Sequence, residues 1–231
     1  MQDIGLTLLL IVAGAGVAML ARQSIRAAHA RRLSRLGYFD HCRSLFSGSR
    51  LSQCATGFPR LSGRYRNSDA DLQAVPDTLT FRKLPALWVL VTLPGPLPVL
   101  ATFNLMIRPT GVEPFSGFHR LPDQIAIPDG FPGDCAIRTD DPRHLLPEHV
   151  LAPHLPLFDN PLIKELVISP KGLRIVFLAE EADRTRYLIF RDAEMGRTPL
   201  PPEQITPVLE RLQAIKTDIE RYGQDDSRRA A

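Results

Sequence analysis

The side chains best able to do chemistry cluster between positions 138 and 154, where Arg138, Asp140, Asp141, His144, Glu148, His149 and His154 occur within one short stretch. Imidazoles and carboxylates can ligate a metal or move protons. A metal-assisted hydrolase built here would use His144 and His149 with Asp140 or Asp141. Positions five apart on a helix diverge by roughly 140°, and Pro147 and Pro153 interrupt the stretch, so a single shared metal face is not expected. Histidines on a loop-rich surface account for the same residues. Asp140-Asp141 ahead of Pro142 also reads as a helix start, with a carboxylate capping and proline in the first turn. A second acidic pair, Glu180-Glu181, reads as a solvated hairpin turn.

Other chemistry is sparse. Cys42, Cys54 and Cys135 are scattered; with His41 the first two offer three ligands, but Cys-x11-Cys lacks the short spacing of structural zinc sites. Reduced, structural thiols are the expectation. Arg82, Arg108 and Arg138 lie in or beside strand-like runs, where arginine suits carboxylate or phosphate recognition and alternation equally places it on a solvated face. Trp88, the only tryptophan, sits in the most apolar run and is expected in the core. No HExxH, Walker-type loop, GxSxG, SxxK or CxxC occurs, and no cofactor is called for. Gly14-Ala15-Gly16 imitates a dinucleotide fingerprint, but Met19 stands where the third small residue belongs. Gly14-x-x-x-Ala18 instead puts two small residues on one helix face, where a second helix, including another copy of this chain, can approach closely.

These residues belong to a chain of 231, 44% apolar, 23% charged, with 21 prolines and a net charge of +3. That composition excludes a disordered or collagen-like chain, and three cysteines exclude a disulfide-stapled one. Ile4–Ala21 holds eighteen residues without a charge, roughly 27 Å of helix against a hydrocarbon layer about 30 Å thick. Met1-Gln2-Asp3 lacks the basic start of a secretory signal, and Leu20 spoils a cleavage site. A transmembrane helix over 4–21 is therefore expected. Residues 22–66 carry ten arginines, no lysine and one acid, a net +9, whereas residues 67–231 sum to −5. Positive flanks stay in the cytoplasm, which predicts an inner-membrane, single-pass protein with its N-terminus outside and its C-terminal domain inside.

Residues 22–57 read as a basic juxtamembrane helix and linker. Arg22, Arg26, Arg31, Arg32 and Arg35 face anionic headgroups or serve as topology signals. Together with Gly14 and Ala18 they are the expected lipid- or partner-facing positions. Residues 44–58 are small and polar enough for a linker. Nucleic acid is disfavoured as a partner, since no zinc finger, basic zipper or RNA-binding aromatic motif accompanies the arm.

Residues 58–222 read as a soluble α+β domain with a mainly antiparallel sheet. Strands are expected at 61–65, 72–75, 79–84, 87–93, 99–107, 166–169, 173–179 and 186–191. Leu87–Leu93 should be central, and Pro94-Gly95-Pro96 should fold it against 99–107 as a hairpin. A short helix is expected at 143–151. Pro170-Lys171-Gly172 makes the turn between two later strands. The closing helix carries Ile205, Val208, Leu209, Leu212, Ile215 and Ile219 on one stripe. Residues 223–231 read as a flexible tail.

The order of anchor, basic arm, a Leu61-Ser62-Gly63-Arg64-Tyr65 strand, Ile137-Arg138-Thr139-Asp140-Asp141-Pro142 entering a helix, paired strands and a terminal helix resembles an uncharacterised family of bacterial single-pass membrane-anchored proteins with a cytoplasmic α+β domain. Asn67-Ser68 stands where that pattern places glycine. The resemblance implies an anchored domain without an assigned reaction. The expectation is a binding or scaffold domain on the cytoplasmic side, engaging another membrane protein. A membrane-proximal enzyme using residues 138–154 is the alternative.

Overall fold

The computed structural model describes residues 2–78, 84–185, 187 and 195–229; for residues 2–12, 27, 28, 31, 32, 34, 226, 227 and 229 it describes the backbone alone. Helix α1 (Gln2–Leu36) is continuous, as a run rich in Leu, Ala and Arg without proline dictates. Among the described residues no helix is long and apolar enough to cross a membrane. The side chains of residues 4–12, half of the expected span, lie outside them. Within the described half, Val17, Met19 and Leu20 are 68, 62 and 64% exposed. Gly37 then ends the helix, and Tyr38 and Phe39 enter the core with no exposed surface at all. Tyr38 packs edge-on against Phe58 at 5.6 Å, Arg35 lies over the same Phe58 ring at 5.0 Å, and Leu200 N donates to Tyr38 O at 2.8 Å.

The stretch expected as a linker is therefore structural. Cys42 and Phe46 are core residues, and β1 (Ser47–Gln53) pairs antiparallel with β2 (Pro59–Tyr65). Gly63 makes this possible: a Cβ there would lie 2.9 Å from Phe46 Cβ and 3.1 Å from Ser47 O, closer than a side chain tolerates.

Seven further strands are β3 (Ser68–Asp77), β4 (Ala86–Pro94), β5 (Phe103–Ile107), β6 (Asp123–Ile125), β7 (Cys135–Thr139), β8 (Ile163–Ser169) and β9 (Gly172–Glu181). They form one antiparallel sheet in the order β1-β2-β3-β4-β9-β8-β5-β7-β6. The run Leu87–Leu93 is central, flanked by β3 and β9. It does not form a hairpin with β5, which pairs instead with β7 and β8. After Pro94, the last residue of β4, the chain leaves the sheet and bonds the neighbouring turn, with Gly95 N on Lys171 O at 3.0 Å and Leu97 N on Pro170 O at 3.2 Å. The acidic pair Glu180-Glu181 continues β9 rather than turning. The expected strands at 79–84 and 186–191 lie almost wholly outside the described residues.

One face of the sheet carries Leu61, Leu72, Val89, Val91, Leu105, Ile137, Ile168 and Ile175, all buried. It is sealed by the closing helix α3 (Pro202–Arg229), whose six stripe residues are each under 7% exposed. At about 1.5–3 kcal/mol per buried side chain, this stripe is a main source of stability. The helix runs on through residues 223–229, which were expected to be loose. The single helix expected at 143–151 is broken: a 3-10 turn at Pro142–His144, then α2 (Glu148–Leu151), with Leu145 and Pro147 extended between them.

Candidate functional site

The second face of the sheet is built differently. Pairing registers align Arg50, Ser62, Asp71, Thr92, Arg174, Val167, Asn104, Arg138 and Gln124 in one row across all nine strands. Every member except Val167 is polar. The adjoining row turns apolar at its centre, where Leu90, Val176 and Met106 are buried beneath Phe115 and Phe118 of the segment between β5 and β6. Trp88 belongs to this smaller cluster, 4.7 Å from Phe115, and so packs on the opposite face from the main core.

Glu165 stands in that adjoining row, between Val176 and Met106, and is fully buried. Its Oε1 accepts hydrogen bonds from Asn104 Nδ2 at 2.9 Å and from the Ser116 hydroxyl, and Ser116 Oγ accepts from Phe118 N at 3.0 Å. Oε2 has no hydrogen-bond partner among the described residues. Burial pushes the Glu165 carboxyl above the usual range, against the opposing pull of Ser116, Asn104 and the Arg174 charge. A group with no surface cannot meet a substrate. Glu165 latches the covering segment to the sheet. Beside it Glu113 accepts from Thr110 N at 2.6 Å and Thr110 Oγ1 at 2.8 Å, with His119 Nε2 at 3.2 Å. Burial raises this carboxyl, but the Thr110 bonds outweigh it and leave it below its ordinary range.

Concavities among the described residues border this framework. A cleft of about 440 Å³ between Asp77, Trp88, Glu113, Phe115 and Lys164 sits at one end of the second face. Lys164 Nζ there is bonded to Ile107 O and Arg108 O, both at 2.6 Å. A second, of about 500 Å³, lies over β1–β3 and contains Arg50, Arg60, Ser62, Arg64, Asp69 and Asp71. A third, an apolar groove of about 550 Å³, is walled by Phe103, Phe131, Leu145, Leu146 and Leu151, with His149 at its rim.

The residues expected to act together at 138–154 have separate partners. Asp140 holds Thr102 N at 2.6 Å and Thr102 Oγ1 at 2.7 Å, which leaves its carboxyl below the ordinary range although burial raises it. Asp141 accepts from Arg143 N at 3.0 Å, as the expected cap, and binds the Arg143 side chain and His144 Nδ1; those bonds hold it well below the carboxylate range. His149 packs edge-on to Tyr222 at 6.2 Å. His154 is buried, 3.1 Å from Asp218, and burial lowers its pKa. Glu148 opens α2. Among the described residues no three His, Cys, Asp or Glu side chains are placed to hold a metal ion.

Arg22 and Arg26 are exposed, as are Gly14 and Ala18, and no atom lies within 4 Å of a Cβ built at Gly14. Arg31 and Arg32 have side chains outside the described residues, and Arg82 lies outside them altogether. Arg35 is committed to Phe58. Arg108 pairs with Asp134 at 3.2 Å. Arg138 is half-buried rather than solvated, donating to Leu121 O at 2.6 Å beside the Phe118 ring. All three cysteines are free; Cys42 donates to Leu200 O at 3.3 Å, and burial pushes its thiol up to about 12. Glu180 accepts from Gly196 N at 2.9 Å and, with burial, raises the Tyr38 phenol above its usual range.

Glu165, Asn104, Ser116 and the arginines of β1–β2 escaped the sequence reading. Glu165 alternates with Leu166 and shares the second face with Val167, and it is buried there because the segment carrying Ser116 and Phe118 covers it, which a period of two does not reveal. No protein-family model, curated protein or solved structure matches this chain.

Proposed function

We propose that the chain is a membrane-anchored binding domain. In this reading Ile4–Ala21 crosses the bacterial inner membrane with its N-terminus outside, the arginine collar from Arg22 to Arg35 lies against anionic headgroups, and the α+β body faces the cytoplasm. The observation that carries it is a helix with no charge from Ile4 to Ala21 whose described apolar side chains are exposed all round, not along a stripe. A helix apolar on every side needs an apolar surrounding, and no described residue of the domain supplies one. The resemblance to single-pass anchored bacterial proteins points the same way.

The seam between α1 and the core supports a binding role. Tyr38 and Phe39 follow one glycine after the helix and are fully buried, so the body is presented at a set angle, as docking on a neighbouring membrane protein requires. The polar second face is the surface offered to that partner. Gly14 and Ala18 give α1 a face on which a second helix, or a second copy, can pack.

Membranes from cells making the full chain test the anchor. The protein is expected to stay in the pellet through alkaline carbonate and to leave it only in detergent; recovery in the carbonate supernatant overturns the reading. Purification in mild detergent from cells at native expression is expected to carry a second membrane protein in fixed ratio. Recovery of this chain alone contradicts the partner.

A further inference from the structure

Within the β1–β3 cleft, Ser62 is the centre of a cross. Arg50 stands directly opposite it on β1 and Asp71 opposite it on β3. Arg60 and Arg64 flank it two positions away on the same strand and so share its face. Arg50 is therefore diagonal to both, within reach for long side chains. The register shift between Ser47 and Arg50 is what sets Arg50 in this position; bulges commonly re-aim a side chain in this way.

Three guanidinium groups around one hydroxyl repel one another unless compensated. Compensation is incomplete. Asp71 takes Arg60 Nε on both oxygens, at 2.7 and 2.9 Å, which leaves the outer nitrogens of Arg60 without a bond to Asp71. Asp69 is 3.9 Å from Arg64 Nε, with both side chains largely exposed, a weak pair. Arg50 has no partner among the described residues. The cleft thus holds one cation in excess, three arginines against two aspartates, with a hydroxyl among them. A carboxylate would use two of their donors; a phosphate dianion, with three or more strong acceptor oxygens, uses the set.

We propose that the Arg50–Arg60–Arg64–Ser62 cleft binds a phosphate dianion, either free inorganic phosphate or the phosphomonoester of a lipid headgroup. Guanidinium pairs suit phosphate geometrically, and bound phosphate would relieve the repulsion among the three arginines. The site stands on the sheet alone and does not depend on the anchor.

The full chain in neutral detergent, at fixed ionic strength, is titrated calorimetrically with inorganic phosphate and, separately, with glycerol 3-phosphate as a headgroup probe. Saturable binding at one site per chain is expected. Arg50→Gln and Arg64→Gln, both at exposed positions, should each weaken it about tenfold, as loss of a charge-assisted bond implies. Asp69→Asn should tighten it severalfold by removing a competing acid. Arg43→Gln, an exposed arginine outside the cleft, makes the same change in net charge and should leave affinity unchanged. Tighter binding of the ester assigns the site to phosphomonoester headgroups, and equal or tighter binding of the inorganic ion assigns it to free phosphate. Absence of saturable binding by either probe, or equal weakening by Arg43→Gln and Arg50→Gln, overturns the proposal.

Discussion

The two faces of the sheet are made by opposite means. The first is apolar on every strand and is closed by an amphipathic helix together with the segments around Tyr38–Phe46 and Val150–Leu157, so its stability comes from area removed from water. The second has a polar row from edge to edge, a small apolar patch under Phe115 and Phe118, and a buried acid holding the cover in place. Area is non-directional and tolerates exchange of one apolar side chain for another; hydrogen bonds to a buried carboxylate do not. The first face is built for stability, and the second is where specific recognition can be written into the same fold.

Truncations on the first face should have the largest effects. Leu209→Ala, at a fully buried stripe position, is expected to cost about 2–5 kcal/mol, and Phe39→Ala about 3–5 kcal/mol, read from denaturant unfolding of the full chain in detergent. A loss below about 1 kcal/mol at Phe39 would return the segment after α1 to the linker expected from sequence. Gly63→Ala should come next, at about 1–3 kcal/mol, because Phe46 and the Ser47 carbonyl leave no room for a Cβ. A neutral result would mean that β1 is not held against β2.

The second face should respond to pH. Glu165 is raised in the folded state by burial, so the folded protein holds a proton that the unfolded chain releases. Its contribution is complete below the ordinary carboxylate range, declines as pH climbs through the raised folded value, and is flat above it. Glu165→Gln keeps an acceptor for Asn104 and Ser116 without the charge. The variant should lose that decline and equal or exceed the parent in melting temperature at neutral pH. An unchanged slope would show that Glu165 is not what titrates.

The first face was the legible one. The stripe of α3 and the β8–β9 turn at Pro170-Lys171-Gly172 follow from period and turn chemistry, because burial on one side imposes a pattern that neighbours in sequence reveal. β1 was illegible for the converse reason. Ser47–Gln53 is an edge strand of small polar residues, and only its pairing with β2, through Gly63, makes it a strand. The Pro94-Gly95-Pro96 segment misled because a turn signal gives no information about which strand the chain meets next. At 138–154 residue types suggested a cluster, yet Thr102, Tyr222 and Asp218 each drew one member elsewhere. Those partners are distant in sequence, so their competition could not be seen there. The latch at Glu165 needs three strands and a loop to exist.

The anchored orientation is tested most directly by protease treatment of spheroplasts carrying the full chain with an epitope after Ala231. The epitope is expected to survive in intact spheroplasts and to disappear once they are lysed. Digestion in intact spheroplasts would place the α+β body outside, and an intact protein in the soluble fraction would contradict the anchor itself.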